Sequence, residues 1–354
     1  MLVLLAVLSA VTLQQQAPAP RQALKGDSVA IYNLVGELRV ESGSGSDVIV
    51  EITRGGADAD KLELQTGDVR GRASLRIIYP ADVITLPERD RGSQTTLRVR
   101  DDGTFNDDSW SGRRYREGRE VRIGGRWRRG GSDGLEAYAD LRILVPRGKN
   151  VAVYLGVGKA TVSTVDGTIK VSVASADVAA ERTRGTLRIA TGSGNVDLRD
   201  GAGEVDLNSG SGDITVAAVQ ATRLNIETGS GNVTLTDGKA TTLSVETGSG
   251  DVDVTGAGGD ELSFDTGSGN IDIALVTAFN SLNVETGSGD VTLKMPPAIG
   301  AQVDIDTGSG DIDLGGFTLA VRRIERDHVT GTLGDGKGRL SVETGSGNVR
   351  LLKL

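Results

Sequence analysis

Apolar and polar residues alternate along most of the C-terminal part of the chain, which is the period of a half-buried β-strand. In one unit, the alternating positions on the two sides of a Gly-Ser-Gly triplet are Leu282, Val284, Thr286, Val291 and Leu293. The triplet interrupts the alternation where glycine gives the backbone the freedom that a corner needs. Each unit therefore predicts two or three short strands joined by a sharp corner.

This unit recurs at a nearly constant spacing. The residue that follows each triplet is Asp or Asn, at Asn195, Asp213, Asn232, Asp251, Asn270, Asp290, Asp311 and Asn348. Successive differences are 18, 19, 19, 19, 20, 21 and 37 residues, so the last interval indicates one decayed copy. A single unit cannot bury its apolar edge, but stacked units can. The sequence therefore predicts an all-β fold, a parallel β-solenoid of about 18–20 residues per rung over residues 135–354.

Stacking places equivalent residues of successive units in rows. The first expected core row is Leu187, Val205, Leu224, Leu243, Leu262, Leu282, Val303 and Leu340, and the second is Ile189, Leu207, Ile226, Val245, Phe264, Val284, Ile305 and Val342. The expected corner row of hydroxyls is Thr191, Ser209, Thr228, Thr247, Thr266, Thr286, Thr307 and Thr344. We expect these hydroxyls to bind corner backbone groups and each other.

The N-terminal part divides into three further segments. Residues 1–20 hold a short apolar run, Leu2 to Leu13, followed by a polar Ala/Pro stretch, which predicts a signal peptide or a short membrane anchor. No other segment is long enough to span a bilayer, so no span is expected in the mature chain. Residues 25–87 contain short alternating runs and predict an irregular β cap on the first rung.

Residues 88–134 depart from the repeat. They hold twelve arginines and both tryptophans, Trp110 and Trp127, among many glycines and aspartates. We interpret the segment as a flexible Arg/Gly-rich surface insertion. The alternative is a contact site for polyanions such as acidic polysaccharide, since arginine pairs with anionic groups and tryptophan stacks on sugars. Nucleic acid is not an expected partner, because the chain is acidic, with a net charge of −9, and is expected to be exported.

The composition limits the chemistry. The absence of cysteine excludes disulfides, thiolate metal sites and a cysteine nucleophile. The one histidine, His328, is interpreted as replacing a corner Asp in the decayed copy. Carboxylates fall at one outward position, at Glu227, Glu246, Asp265, Glu285 and Asp306, which we interpret as a solvated acidic face rather than calcium sites. No catalytic, cofactor-binding or metal-binding residue is assigned, and no cofactor is expected.

The Thr-Gly-Ser-Gly-Asp/Asn-Val units, the run from Asp140 to Pro146 and the ending from Gly331 to Leu351 resemble the bacterial putative-adhesin family of repeat β-proteins. The resemblance implies a β-helix-like fold, export and no catalytic residues. We expect an adhesin-like or structural protein of the periplasm, cell surface or extracellular space, with polysaccharide or self-association as partners. Two alternatives stay open, which are a polysaccharide-acting enzyme on a β-helix and a periplasmic envelope scaffold.

Overall fold

The computed structural model describes residues 20–86, 94–105, 118–124 and 134–354. Up to residue 209 the strands are β1 (Arg21–Leu24), β2 (Ser28–Ser42), β3 (Val48–Gly55), β4 (Glu63–Val69), β5 (Arg72–Ile78), β6 (Val83–Ile84), β7 (Thr95–Val99), β8 (Arg119–Ile123), β9 (Tyr138–Val145), β10 (Asn150–Ser163), β11 (Asp166–Ser193) and β12 (Val196–Ser209). One short 3-10 helix spans Ala59–Lys61. In the described ranges, no helix is long and apolar enough to cross a bilayer.

The remaining strands form the later rungs and the C-terminal end of the stack. They are β13 (Ile214–Ala217), β14 (Gln220–Thr228), β15 (Val233–Thr236), β16 (Lys239–Thr247), β17 (Val252–Ala257), β18 (Glu261–Thr266), β19 (Ile271–Leu275), β20 (Ser281–Thr286), β21 (Val291–Met295), β22 (Ala301–Thr307), β23 (Ile312–Asp313), β24 (Leu319–Ile324), β25 (His328–Leu333), β26 (Gly338–Thr344) and β27 (Val349–Lys353).

Each regular rung holds one longer and one shorter strand joined by the Gly-Ser-Gly corner. Equivalent strands stack in parallel, so that Leu224, Leu243 and Leu262 lie side by side in β14, β16 and β18. The shorter strands do the same, with Val233 opposite Val252 in β15 and β17. We call these two stacks the long-strand sheet and the short-strand sheet. This arrangement confirms the predicted parallel β-solenoid.

The core runs along the whole stack between the two sheets. Every member of the two predicted core rows is at most 3% exposed. The inward residues of the shorter strands, such as Val252 and Val254, belong to the same continuous cluster. Each fully buried Leu or Val contributes about 1.5–3 kcal/mol relative to exposure. The period-two pattern therefore locates the core of the repeat correctly.

The corners are held by side-chain hydroxyls and by close backbone stacking. The Thr247 hydroxyl donates to the Gly231 carbonyl at 2.9 Å, and Thr266 donates to Gly250 at 2.9 Å. These bonds confirm the expected role of the hydroxyl row in binding corner backbone. The predicted reason for the glycines is wrong for most corners, because among the Gly-Ser-Gly triplets from Gly192 to Gly347 only Gly194 has a φ in the positive region. A Cβ on Gly250 would instead lie 2.0 Å from the Gly231 carbonyl oxygen of the neighbouring rung.

The last rung of the sequence is not the last rung of the stack. Strands β26 and β27 insert between two rungs that are consecutive in sequence, so Leu340 lies between Leu282 and Val303. In the short-strand sheet, Val349 pairs with Val291 on one side and Ile312 on the other. The segment interpreted as a decayed copy is an antiparallel hairpin, β24–β25, and β25 pairs antiparallel with β22. The linear order assumed from the repeat is wrong at this end.

The Asp/Asn corner row follows the spatial order. Its members alternate strictly when read along the stack as Asp177, Asn195, Asp213, Asn232, Asp251, Asn270, Asp290, Asn348 and Asp311. Each side-chain oxygen accepts the backbone N–H of the next member, for example Asn348 N–H to Asp290 Oδ1 at 2.7 Å. In chain order, Asp290 and Asp311 would be neighbours. The insertion of Asn348 therefore keeps like charges two rungs apart.

The first rung is also inserted. Strands β9 and β10 are separated in the chain by residues 146–149 only, yet β2 lies between them in the stack. Val40 of β2 therefore pairs with both Ile143 and Val162. Beyond it, β9, β3 and β1 extend the short-strand sheet, and the β3 pairings are antiparallel. The β4–β5 hairpin extends the long-strand sheet. The predicted irregular cap thus contains one complete rung, and antiparallel strands terminate both ends of the stack.

The described parts of residues 88–134 differ from the flexible insertion expected there. Strand β8 pairs with β7 and β6 to form a separate three-stranded sheet. Its residues Leu97, Val121 and Ile123 are at most 6% exposed and belong to the main core cluster. Trp110, Trp127 and eight of the twelve arginines lie outside the described residues, as do residues 1–19 of the predicted signal peptide.

The small sheet covers the first rungs of the long-strand sheet. The Tyr32 ring stacks on the Tyr154 ring at a centroid distance of 4.5 Å, and its edge meets Phe105 at 5.9 Å. A Cβ on Gly156 would lie 3.0 Å from the Cδ1 atoms of both Leu97 and Ile123. The outward face here is therefore apolar and buried, unlike that of the later rungs. Tyr79 is wholly buried, and burial raises the pKa of its hydroxyl, which donates to Asn33 Oδ1 at 2.8 Å.

Candidate functional site

The outward face of the long-strand sheet is open after the covered rungs and carries three parallel rows of side chains. The central row is small, polar and half-buried, and consists of Asp206, Asn225, Ser244, Ser263, Asn283 and Ser341. Two flanking rows of mostly exposed residues stand on either side of it. Because the central side chains are shorter than most of their neighbours, the three rows form a shallow trough along the stack, which we call the polar trough.

One wall of the polar trough is acidic. In spatial order it consists of Glu227, Glu246, Asp265, Glu285, Glu343 and Asp306, all of them exposed. The structure thus brings together all five carboxylates predicted from the sequence and places Glu343 between Glu285 and Asp306. The order of the repeats in the chain does not predict the position of Glu343, because Glu343 belongs to the last rung of the sequence, which is inserted into the stack.

Both ends of the acidic wall are closed by other side chains. At one end, Asn208 Nδ2 donates to Glu227 Oε2 at 2.9 Å. At the other end, His328 of the β24–β25 hairpin pairs across from Asp306. Its Nδ1 lies 3.2 Å from Asp306 Oδ2 and its Nε2 lies 3.3 Å from Asp304 Oδ1. His328 therefore lies in a strand of the hairpin, and the interpretation that it replaces a corner Asp is wrong.

The opposite wall has mixed charge. It consists of Glu204, Arg223, Thr242, Glu261, Ser281 and Arg339. Near its first members the trough deepens into a surface cavity of about 320 Å³, which Arg188, Glu204, Asp206 and Arg223 help to line. This wall can therefore donate as well as accept hydrogen bonds, whereas the acidic wall accepts only.

The carboxylates of the central rungs affect one another. Burial raises the pKa of Asp265 first, and the neighbouring Glu285 carboxylate raises it further. In the short-strand sheet, burial together with Asp272 and Asp251 raises the pKa of Asp253. These groups hold a proton more readily than isolated carboxyls, first because each is partly buried and second because each has a like charge on a neighbouring rung.

The described acidic residues and His328 do not form a metal-binding group. Across residues 20–86, 94–105, 118–124 and 134–354, no group of three or more His, Asp or Glu residues is arranged to hold a metal ion. The acidic wall is a line of single carboxylates one rung apart. What the arrangement offers chemically is a regular array of hydrogen-bonding groups along one direction.

The sequence contains a signal for the covered part of this face that the alternation alone does not reveal. Residues 29–35, VAIYNLV, and 151–157, VAVYLGV, are nearly continuous apolar runs rather than alternating ones. Continuous runs are typical of strands that are buried on both faces. The pair register aligns Val29 with Val151 and Tyr32 with Tyr154. The two runs therefore identify both an additional rung and the place where a second layer covers the sheet.

Comparison with known proteins places this architecture in a family. The Toastrack DUF4097 family model matches residues 141–352, from β9 to β27. A crystal structure described as a putative cell adhesion protein from Clostridium sporogenes is 8% identical, with 96% of this chain and 100% of that chain covered and a TM-score of 0.23. No curated protein matches the chain. Since the family match spans more than half of the 354 residues, the chain belongs to the Toastrack DUF4097 family.

Proposed function

We propose that this chain is an exported, non-catalytic, adhesin-like or structural protein of the cell envelope or cell surface, and that its polar trough binds an extended polysaccharide. The observation that carries the proposal is the unbroken trough. It repeats the same kinds of side chain once per rung, about 4.8 Å apart, along the open part of the long-strand sheet. A repeating surface is suited to a repeating, linear ligand, because each unit of the ligand meets an equivalent set of groups.

The chemistry of the trough selects among polysaccharides. Its floor offers hydroxyls and amides, for example Asn225, Ser244 and Ser263, which match the hydroxyl groups of a sugar chain. The acidic wall repels an acidic polymer and attracts one that carries amines. The expected ligand is therefore a neutral or amine-bearing linear polysaccharide. An acidic polysaccharide, considered above for residues 88–134, does not suit this face.

Binding to immobilised polysaccharides tests the proposal. The wild-type protein should bind a neutral β-linked glucan or chitosan more strongly than polygalacturonate at the same ionic strength. Ser244→Arg with Ser263→Arg fills the trough floor and should abolish this binding. The matched control is Thr215→Arg with Thr234→Arg, which adds the same side chains to the outward face of the short-strand sheet. Equal loss in both variants would contradict a role for the trough.

The same preparations test catalysis and export. Size-exclusion chromatography of the polysaccharides after incubation with the protein shows whether they have been shortened. Shortened chains would favour the enzyme alternative. Export is proposed from the apolar run Leu2 to Leu13. Mass spectrometry of the N-terminus after cell fractionation should find a mature chain outside the cytoplasm that begins near Ala17 or Ala19. An intact N-terminus in the cytoplasm would contradict export.

A further inference from the structure

The long-strand sheet ends in an edge strand on each side. The charged side chains of one edge strand are acidic and those of the other are basic. Among the described residues, β4 pairs only with β5, and β24 pairs only with β25. Each strand therefore has one row of backbone N–H and C=O groups without a strand partner, which is a template for pairing with another chain. The two edges belong to one continuous sheet, because β4 and β5 extend it at one end and β25 and β24 at the other.

The end formed by β24 carries exposed apolar side chains. The exposed large hydrophobic residues in the described ranges are Val276, Val321, Ile324 and Leu354, and two of these lie in β24. Ile324 is 66% exposed and Val321 is 46% exposed. Arg322 and Arg323 stand beside them, and because Arg323 pairs with Glu325 just after the strand, the positive charge of this edge comes mainly from Arg322. Apolar side chains gathered on an edge strand indicate a contact surface rather than scattered exposure.

The end formed by β4 complements it. Strand β4 carries Glu63 and Asp68 and no basic residue. A hollow of roughly 420 Å³ lies over the β4–β5 hairpin, between Thr66, Gly67, Ala73 and Ser74 on one side and Leu24, Lys25 and Asp27 at the β1–β2 connection on the other. A protruding Ile324 side chain can enter such a hollow while the arginines of β24 meet the acids of β4. Two copies of β24 cannot pair equally well, since their arginines would face each other.

We propose that copies of this chain associate end to end, with the β24 edge of one molecule pairing with the β4 edge of the next. The two surfaces are different, so the contact leaves a free end on each molecule and generates a linear assembly rather than a closed dimer. The long-strand sheet continues from one molecule to the next, and the covered first rungs separate successive polar troughs. The association does not depend on the polysaccharide binding proposed above, because none of these residues lies in the trough.

Charge reversal at either end gives a sharp test. One protein carries Glu63→Arg with Asp68→Arg, and the other carries Arg322→Glu with Arg323→Glu. Sedimentation velocity over a wide concentration range should show linear oligomers for the wild type, and association at least about tenfold weaker for each variant alone, since like charges then meet. An equimolar mixture should regain association, because each positive end finds a negative one.

The apolar contact is tested separately. Ile324→Asp should weaken the association, whereas Val276→Asp, at a residue 48% exposed in the β19–β20 connection, should leave it unchanged. A wild-type protein that stays monomeric at every concentration overturns the proposal, as does a mixture of the reversed variants that fails to associate. Polysaccharide binding, measured on the same samples, should persist in all these variants, so that loss of association is distinguished from loss of the trough.

Discussion

The middle of the rod and its two ends are built from the same unit but assembled by different rules. In the middle, β14, β16, β18 and β20 stack in the order in which the chain makes them. At the C-terminal end, the spatial order is β20, β26, β22, and at the N-terminal end β2 lies between β9 and β10. The difference teaches that the repeat determines the shape of a rung, while other contacts determine its place in the stack.

Those other contacts can be named. Core rows alone discriminate poorly between rungs, since Leu282, Leu340 and Val303 are all aliphatic and almost fully buried. The Asp/Asn alternation does discriminate, because it disfavours two adjacent aspartates. The hairpin β24–β25 occupies the outer edge of β22 and joins it through His328. Together these features favour the inserted position of the last rung over the outermost one.

The largest expected effect is the loss of stability when a core residue is replaced by aspartate, compared between the last rung of the sequence and the middle of the rod. Leu351 is fully buried in β27, between β21 and β23, so Leu351→Asp should destabilise the rod as much as Leu262→Asp. Burying an unpaired carboxylate or forcing it out costs several kcal/mol, and we expect about 3–5 kcal/mol for each variant. A sequential stack would instead let Leu351→Asp fray only the final rung. Denaturant titration distinguishes the two outcomes, with exposed Leu354→Asp as the control.

The second prediction concerns the buried polar contact at the N-terminal end. Tyr79→Phe removes a hydroxyl that donates to Asn33 and also lies 2.9 Å from the Val35 carbonyl oxygen. Asn33 is fully buried, so its carbonyl would lose a donor without gaining water. We expect a loss of about 1–3 kcal/mol in the free energy of unfolding. In a double-mutant cycle with Asn33→Ala, strict additivity would show that the two side chains are not coupled.

Much of the fold could be predicted from the sequence, and the reason is local. Alternation around each Gly-Ser-Gly triplet located the core rows, the hydroxyl row and five members of the acidic wall. What could not be predicted depends on contacts between distant segments. Glu343 enters the wall through the inserted rung, and Tyr32 is buried because residues 95–99 and 119–123 cover it. The spacing of 37 residues fitted a lost copy as well as it fitted a hairpin.

The third prediction tests the order of the corner row directly. Asn348→Asp places an aspartate between Asp290 and Asp311, and Asn232→Asp places one between Asp213 and Asp251. Each substitution creates two like-charge neighbours at about 1 kcal/mol each in water, so the two losses in stability should be similar when both are made together with Arg326→Gln, which removes the ion pair of Asp311. They should both shrink as salt is added. If the stack followed chain order, Asn348→Asp would have only one aspartate neighbour and about half the effect.

The smallest expected effect is a difference in how the stability of the middle and of the ends depends on pH, because their carboxyl groups have pKa values shifted in opposite directions. In the middle, burial and neighbouring acids raise the pKa of Asp253 and Asp265. At the ends, ion pairs lower the pKa of several exposed carboxyls. Their hydrogen-bonding partners are Lys149 for Asp27, Arg21 for Glu51, Lys61 for Asp58, Arg323 for Glu325 and Lys337 for Asp335. A fall in pH should therefore stabilise the middle of the rod and destabilise its ends.

A raised pKa means that the folded state binds the proton more readily than the unfolded state, so Asp253 and Asp265 favour folding more as pH falls from 7 towards 4. A lowered pKa has the opposite consequence, so the end carboxyls lose their contribution as pH falls below about 4. Hydrogen exchange should show β16 to β19 slightly better protected at pH 5 than at pH 7, after correction for intrinsic rates. The variant with Asp253→Asn and Asp265→Asn should be slightly more stable than wild type at pH 7 and equal to it near pH 3. A stability difference that is the same at both pH values would show that the gain does not come from ionisation.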